Sequence, residues 1–179
     1  MPDDLRLAAP DAAYREAFGA MAREFHDAGE AGWPHGAREG DDLALRDLDA
    51  YARECANGAL GRNLRDSYVP ATLWWLWAGE RLAGTLNLRH RLTDGLLATG
   101  GHIGYCIRPS ARRKGYMARF LLLALEEARA LGLDRALLTC DDANVASAGV
   151  VEKCGGVLED VRPSDDHASG RVRRYWIAL

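Results

Sequence analysis

The sequence has no long apolar run, no CxxC pair and no excess of base, and each absence removes a class of function. Its longest apolar stretches, "ATLWWLWAG" and "FLLLAL", fall well short of the ~18 residues needed to cross a bilayer. The opening "MPDDLRLAAP" carries acid where a signal peptide carries base, so a cytoplasmic chain is expected. Cys55, Cys106, Cys140 and Cys154 fall at neither redox-motif nor zinc-finger spacing and read as reduced, mostly buried thiols. His26, His35, His90, His102 and His167 never fall at metal-ligand spacing with an acid, so no metal is expected. A net charge of −3 and a pI near 6.0 argue against nucleic-acid or anionic-membrane partners, which need base spread over a face. Neither G-x-x-x-x-G-K-[ST] nor G-x-G-x-x-G occurs, which disfavours a P-loop or dinucleotide-binding enzyme.

What remains is 179 residues with 48% hydrophobic content, enough for one sizeable core and short for two. A single domain over 1–179 is expected, with N-terminal helices and an acceptor-side loop in 1–66 and a core in 70–179. "PDAAYREAFGAMAREFHDAGE" repeats apolar residues at helical spacing, and residues 41 to 57 follow the same rule less cleanly. Between them "GEAGWPHGAREGDD" reads as a mobile loop in which Trp33 and His35 are the side chains able to grip something. "ATLWWLWA" and "RLAGTLNLRH" flank a short "GE" as an antiparallel hairpin, and "GHIGYCIR" alternates Ile103, Tyr105 and Ile107 against smaller residues. A helix follows over roughly 111 to 131, with Met117, Phe120, Leu121, Ala124, Leu125, Ala128 and Leu131 on one stripe and Gly132 as its stop. "RALLTC" is a buried strand, 144 to 153 a short helix closed by Gly155 and Gly156, and "VLEDVR" and "RVRRYWIAL" the last strands. The expected order is α-α-β-β-β-α-β-α-β-β.

Arg112, Arg113 and Lys114 cluster against Gly115 where a strand turns into that long helix. Such a turn leaves backbone N–H groups aimed outward at the positive end of the helix dipole. Gly115 lets an anion approach the backbone, and the three basic side chains add charge around a group such as a phosphate. The bland alternative is an exposed basic helix start, which the dipole disfavours.

These residues resemble the GNAT N-acetyltransferases, whose motif A, [Q/R]-x-x-G-x-[G/A], binds the pyrophosphate of acetyl-CoA. Here it stands as Arg112-Arg113-Lys114-Gly115-Tyr116-Met117, with Met117 where a small residue is usual and Ala118 one step late. "NVASAGVVEKCGG" resembles motif B, N-x-x-[AS] before a short helix, carried by Asn144 and Ser147. "LRHRL", "GGHIGY", "RPSARRKGY" and "LLTCDDAN" are similar to a bacterial subgroup of acetyltransferases without an assigned substrate. The resemblance implies the acyl-CoA N-acyltransferase fold of the α/β (α+β) class. That is a mixed, mostly antiparallel sheet of six to seven strands flanked by helices, with one splayed strand pair. It implies acetyl-CoA as co-substrate. The backbone of Tyr105, Cys106 and Ile107 would pair with the pantetheine arm like an added strand, and Asn144 would contact the pantetheine or the leaving sulfur.

Acetyl transfer to an amine needs a neutral amine, donors for the oxyanion and, ideally, an acid for the thiolate. Many family members supply that acid as a Tyr seven residues after the motif B Asn, where this chain has Val151. Tyr175 is the remaining candidate acid, and Cys154 reads as a structural thiol. For the base, His102 is preferred to His90 because it opens the strand expected to hold the cofactor; both also read as strand-end histidines bonded to backbone. Asp141 and Asp142 read either as ligands for a cationic amine or as turn formers ahead of Asn144, and one of Trp74, Trp75 and Trp77 could line the acceptor pocket. The acceptor is a small-molecule or peptide amine that the sequence does not identify. A non-catalytic acyl-CoA-binding module is the competing reading, and the apolar "YWIAL" strand would allow a homodimer.

Overall fold

The computed structural model describes residues 4–30 and 43–179, so Trp33 and His35 of the expected loop lie outside the described residues. In chain order the elements are β1 Leu5–Ala8, α1 Arg15–Asp27, α2 Leu43–Arg46, α3 Leu48–Ala59, β2 Ala71–Ala78, β3 Arg81–Arg89 and β4 Ile103–Ile107. They continue with α4 Tyr116–Ala130, β5 Arg135–Asp141, α5 Val145–Lys153, β6 Val157–Pro163 and β7 Arg171–Ala178. The strands form one seven-stranded sheet in the order β1-β2-β3-β4-β5-β7-β6. The β1–β2, β5–β7 and β6–β7 pairs are antiparallel and β4–β5 is parallel. The mixed, mostly antiparallel sheet flanked by helices is the expected fold class.

The chain divides into two compact units, one of residues up to Asn87 with Tyr105–Tyr116, the other of Leu88–Gly104 with Met117–Leu179. In the first unit, Phe18, Met21, Ala22 and Phe25 recur at helical spacing along α1 and are all buried. Phe18, Met21 and Phe25 join Leu48 and Tyr51 of α3 and Leu73, Trp75 and Trp77 of β2 in one core, with Phe18 stacked on Trp75 at 5.2 Å between ring centres. Each such side chain, fully buried, stabilises the fold by about 1.5–3 kcal/mol. Trp75, Leu76 and Trp77 are all buried, which explains why the tryptophans do not alternate: both faces of β2 are covered.

The second unit is built on β5, β6 and β7. α4 buries Met117, Ala118, Phe120, Leu121, Ala124, Leu125 and Ala128, the expected stripe except for Leu131, which is exposed beyond the helix end. β7 pairs with β5 on one side and β6 on the other. Within "YWIAL", β6 reaches Tyr175 and Trp176 and β5 pairs Tyr175 to Ala178, so most of this strand's length is taken by neighbours in the same chain.

Three expectations about elements need correction. β1, a four-residue strand registered Leu5↔Ala78 to Ala8↔Trp75 on β2, was not expected, because "LRLA" is too short to show a period. The second N-terminal helix is two, since Asp47 accepts a hydrogen bond from Ala50 N at 2.9 Å and restarts the chain as the cap of α3. The long helix begins at Tyr116 and not near 111, after a single 3-10 turn at Pro109–Ala111 and an irregular stretch at 112–115.

Candidate active site

In the first unit, the irregular stretch ahead of α4 is the basic turn singled out by sequence. Arg113 and Gly115 both have left-handed backbone, φ +59° and +75°. The reversal at Arg113 is unusual for a side-chain-bearing residue and costs about 1 kcal/mol. Among the described residues, no backbone acceptor takes the N–H groups of Arg113, Lys114 or Gly115. A Cβ on Gly115 would have no heavy atom within 4 Å, so the space over the turn is open. Arg113 and Lys114 are exposed, and among the described residues neither is in an ion pair. Unpaired donors, open space and two exposed cations at a helix start fit a phosphate group.

Arg112 is placed differently from the expectation that it adds charge to the anion. Its Nη1 and Nη2 donate to the two oxygens of Glu30 at 2.6 Å each, its Nε donates to Ile107 O at 3.0 Å, and its guanidinium lies 5.9 Å from the Phe25 ring centre. The hydrogen bonds from Arg112 hold the Glu30 carboxyl below its usual pKa. One step upstream, Glu24 of α1 accepts from the Ser110 backbone N–H and from Arg108, which is buried and also donates to Leu82 O at 3.1 Å. Burial pushes the Glu24 carboxyl up, but the Ser110 and Arg108 hydrogen bonds outweigh it and hold the group at about 2. Sequence reasoning missed Glu24 and Glu30. Glu24 stands 84 and 86 positions from Arg108 and Ser110, and Glu30 stands 82 from Arg112; one is an acid late in an amphipathic helix and the other lies three residues beyond its end.

β4 carries Tyr105, Cys106 and Ile107, all half-buried. Cys106 Sγ meets Thr85 Oγ1 of β3 at 3.2 Å, and its thiol is raised by burial. Tyr116 opens α4, with the Lys114 ammonium 5.9 Å from its ring centre.

In the second unit, β4 registers on β5 at Ile103↔Leu138, and His102 sits immediately before that pair. Its backbone N–H donates to Leu137 O at 2.7 Å, while the Leu137 N–H donates to its ring Nδ1 at 2.9 Å. The imidazole thus supplies an acceptor to a strand N–H. Burial, with Arg89 and Arg135 nearby, lowers its pKa to about 4. A neutral ring that accepts at Nδ1 carries its proton on Nε2, so no lone pair is left for an amine. His102 is a backbone-bonded strand-end histidine and not the base preferred from sequence. His90, just past β3, is half-buried and has its pKa lowered by burial.

Tyr175, fully buried on β7, donates its hydroxyl to Glu152 Oε1 at 2.9 Å, and burial raises its pKa. Its proton is committed inside the unit, away from any role as the missing acid. Val151 is buried on α5, and Cys154 Sγ donates to Ala118 O at 3.3 Å, a structural thiol. Met117 and Ala118 are buried at the start of α4. Asn144 caps α5 by accepting from Ser147 N at 3.0 Å, which leaves its amide N–H₂ group as the part able to meet a ligand. Asp141 accepts from Ala143 N at 2.8 Å and Ser169 N at 2.9 Å, and Asp142 pairs with Arg171 and Arg173. Asp141 thus forms the turn ahead of Asn144, while Asp142 is held by two arginines of β7. Among the described residues no group of His, Cys, Asp and Glu gathers as a metal site, and no helix is long and apolar enough to cross a membrane.

Solved structures with the same fold include the microcin C7 self-immunity acetyltransferase MccE in complex with acetyl-CoA and AMP. Its TM-score is 0.70 at 17% identity, covering 99% of this chain and 93% of that one. The ribosomal L7/L12 alpha-N-protein acetyltransferase RimL in complex with coenzyme A gives 0.71 at 17% identity, covering 98% and 94%. YncA of Salmonella typhimurium, a putative acetyltransferase with its cofactor acetyl-CoA, gives 0.63 at 17% identity, covering 100% and 95%. No curated protein sequence matches the chain significantly. The family model described as "Acetyltransferase (GNAT) domain" matches residues 7–157, and with the turn, the strand order and motif B in place, the chain belongs to the GNAT acetyltransferase family.

Proposed function

We propose that the chain transfers the acetyl group of acetyl-CoA to a primary amine by direct attack in a ternary complex. The observation that carries this reading is the turn at 113–115, with left-handed backbone at Arg113 and Gly115, N–H groups without backbone acceptors and open space above. The pyrophosphate sits on that turn, with Arg113 and Lys114 completing the charge, and the pantetheine arm lies along Tyr105, Cys106 and Ile107. Acetyl-CoA supplies an activated acyl group whose thiolate is already a fair leaving group, since a thiol of pKa about 8.5 needs little protonation near neutrality. Positioning therefore supplies much of the rate.

His90 takes the amine proton, directly or through water. Burial lowers its pKa from the ordinary imidazole value, so the ring is neutral at pH 7. With Val151 apolar and the Tyr175 hydroxyl bonded to Glu152, neither residue serves the leaving sulfur as an acid. The acceptor is a small-molecule or peptide amine. MccE is named as a microcin C7 self-immunity acetyltransferase and RimL as an alpha-N-protein acetyltransferase, and the second name describes an amine acceptor of the peptide kind.

The test is release of free coenzyme A thiol from acetyl-CoA against a panel of polyamines, amino acids, aminoglycosides and peptide N-termini. Amine-dependent release is expected, with a rate that rises with pH and shows no descending limb. Tight acetyl-CoA binding without release for any amine would instead favour a binding module.

A further inference from the structure

The basic cluster contains one cation whose guanidinium is already committed to partners. Arg112 opens the turn, yet three of its N–H groups are committed within the unit, two to Glu30 and one to Ile107 O. Ile107 is the last residue of β4, and Arg112 follows it by five positions. The guanidinium therefore bridges the strand end to the start of the turn and ties both to Glu30, three residues beyond the end of α1. Glu24, six residues earlier on that helix, fixes the intervening segment through Ser110 N and Arg108. The left-handed backbone at Arg113 is strained, and it persists only where its surroundings over-determine it.

We propose that Glu30 and Arg112, backed by Glu24 and Arg108, are positioning residues that hold the turn in its anion-binding shape, and that Arg112 is not a phosphate ligand. This rests on the reading that the turn at 113–115 binds the pyrophosphate of acetyl-CoA. The bidentate geometry is one that Arg and a carboxylate form and Lys does not.

The two roles for Arg112 give opposite signs. If Arg112 were a phosphate ligand restrained by Glu30, Glu30→Gln would free a positive charge beside the anion and tighten binding. As a brace, the same change loosens the turn and weakens binding. Isothermal titration of acetyl-CoA into wild type, Glu30→Gln and Arg112→Lys decides between them, with S-acetyl-pantetheine, which lacks the pyrophosphate, as a parallel probe. The expected result is a loss of about three- to tenfold in acetyl-CoA affinity for both variants, moderate because the pair is half exposed. Affinity for S-acetyl-pantetheine should be unchanged, whereas a general loss of structure would weaken both probes. Unchanged or tighter acetyl-CoA binding by Glu30→Gln, equal weakening of both probes, or full affinity in Arg112→Lys overturns the brace. Failure of the wild type itself to bind acetyl-CoA overturns the underlying reading, and the brace with it.

Discussion

At the scale of single residues, His102 shows how a catalytic-looking side chain takes a structural task. Its Nδ1 accepts the Leu137 N–H beside the Ile103↔Leu138 pair, where an unsatisfied strand N–H would cost about 1–3 kcal/mol. The folded pKa of about 4 lies below the ordinary 6.5. The unfolded chain therefore binds more protons between those values, and stability is full above pH 6.5 and falls as pH drops toward 4. The loss is on the order of 3 kcal/mol across that window. Urea unfolding of His102→Asn, whose amide oxygen can accept the same N–H, should show stability near wild type at pH 7 and a flatter decline between pH 6.5 and 4. His102→Ala should be less stable at pH 7 by about 1–3 kcal/mol. An unchanged pH slope in His102→Asn would show that the titrating group is another.

At the scale of elements, the approach of β3 to β4 is set by a glycine. A Cβ on Gly84 would collide with the Cys106 carbonyl oxygen and crowd Ile107 Cα. The small residue in "RLAGTLNL" thus holds the strand whose backbone is proposed to pair with the pantetheine. Gly84→Ala should destabilise the protein by about 1–3 kcal/mol in chemical denaturation, the usual cost of overpacking. It should also weaken acetyl-CoA binding, because relief of the clash moves 105–107; wild-type stability would mean that the strands separate there without strain. Elements with strong local signals were legible: the α4 stripe repeats every three to four residues, and Asn144 with Ser147 marks the start of α5. β1 and the break at Asp47 were not, since a four-residue strand carries no period and a cap inside a weak pattern looks like its continuation.

For the whole molecule, the family and the basic turn ahead of α4 were readable because both are local: one glycine, three bases and a following helix stand in a single stretch of chain. The tasks given to those bases were not readable. Glu30 lies 82 positions from Arg112, and Leu137 lies 35 from His102, so which cation is tied to a carboxylate and what task the His102 imidazole takes are products of tertiary contact. The central claim is that the turn at 113–115 holds the pyrophosphate of acetyl-CoA. Its most direct test is the melting temperature of wild type and Gly115→Val across acetyl-CoA concentrations. Gly115 has φ +75° with nothing within 4 Å of a would-be Cβ. A valine there would be disfavoured by the left-handed backbone and not by lack of room, and it would also block the anion's approach. Wild type should melt at rising temperature with ligand, by about 2.7 kcal/mol of added stability at a hundredfold excess over Kd, and the variant should show little or no rise. Equal stabilisation of Gly115→Val and wild type by acetyl-CoA would contradict the account.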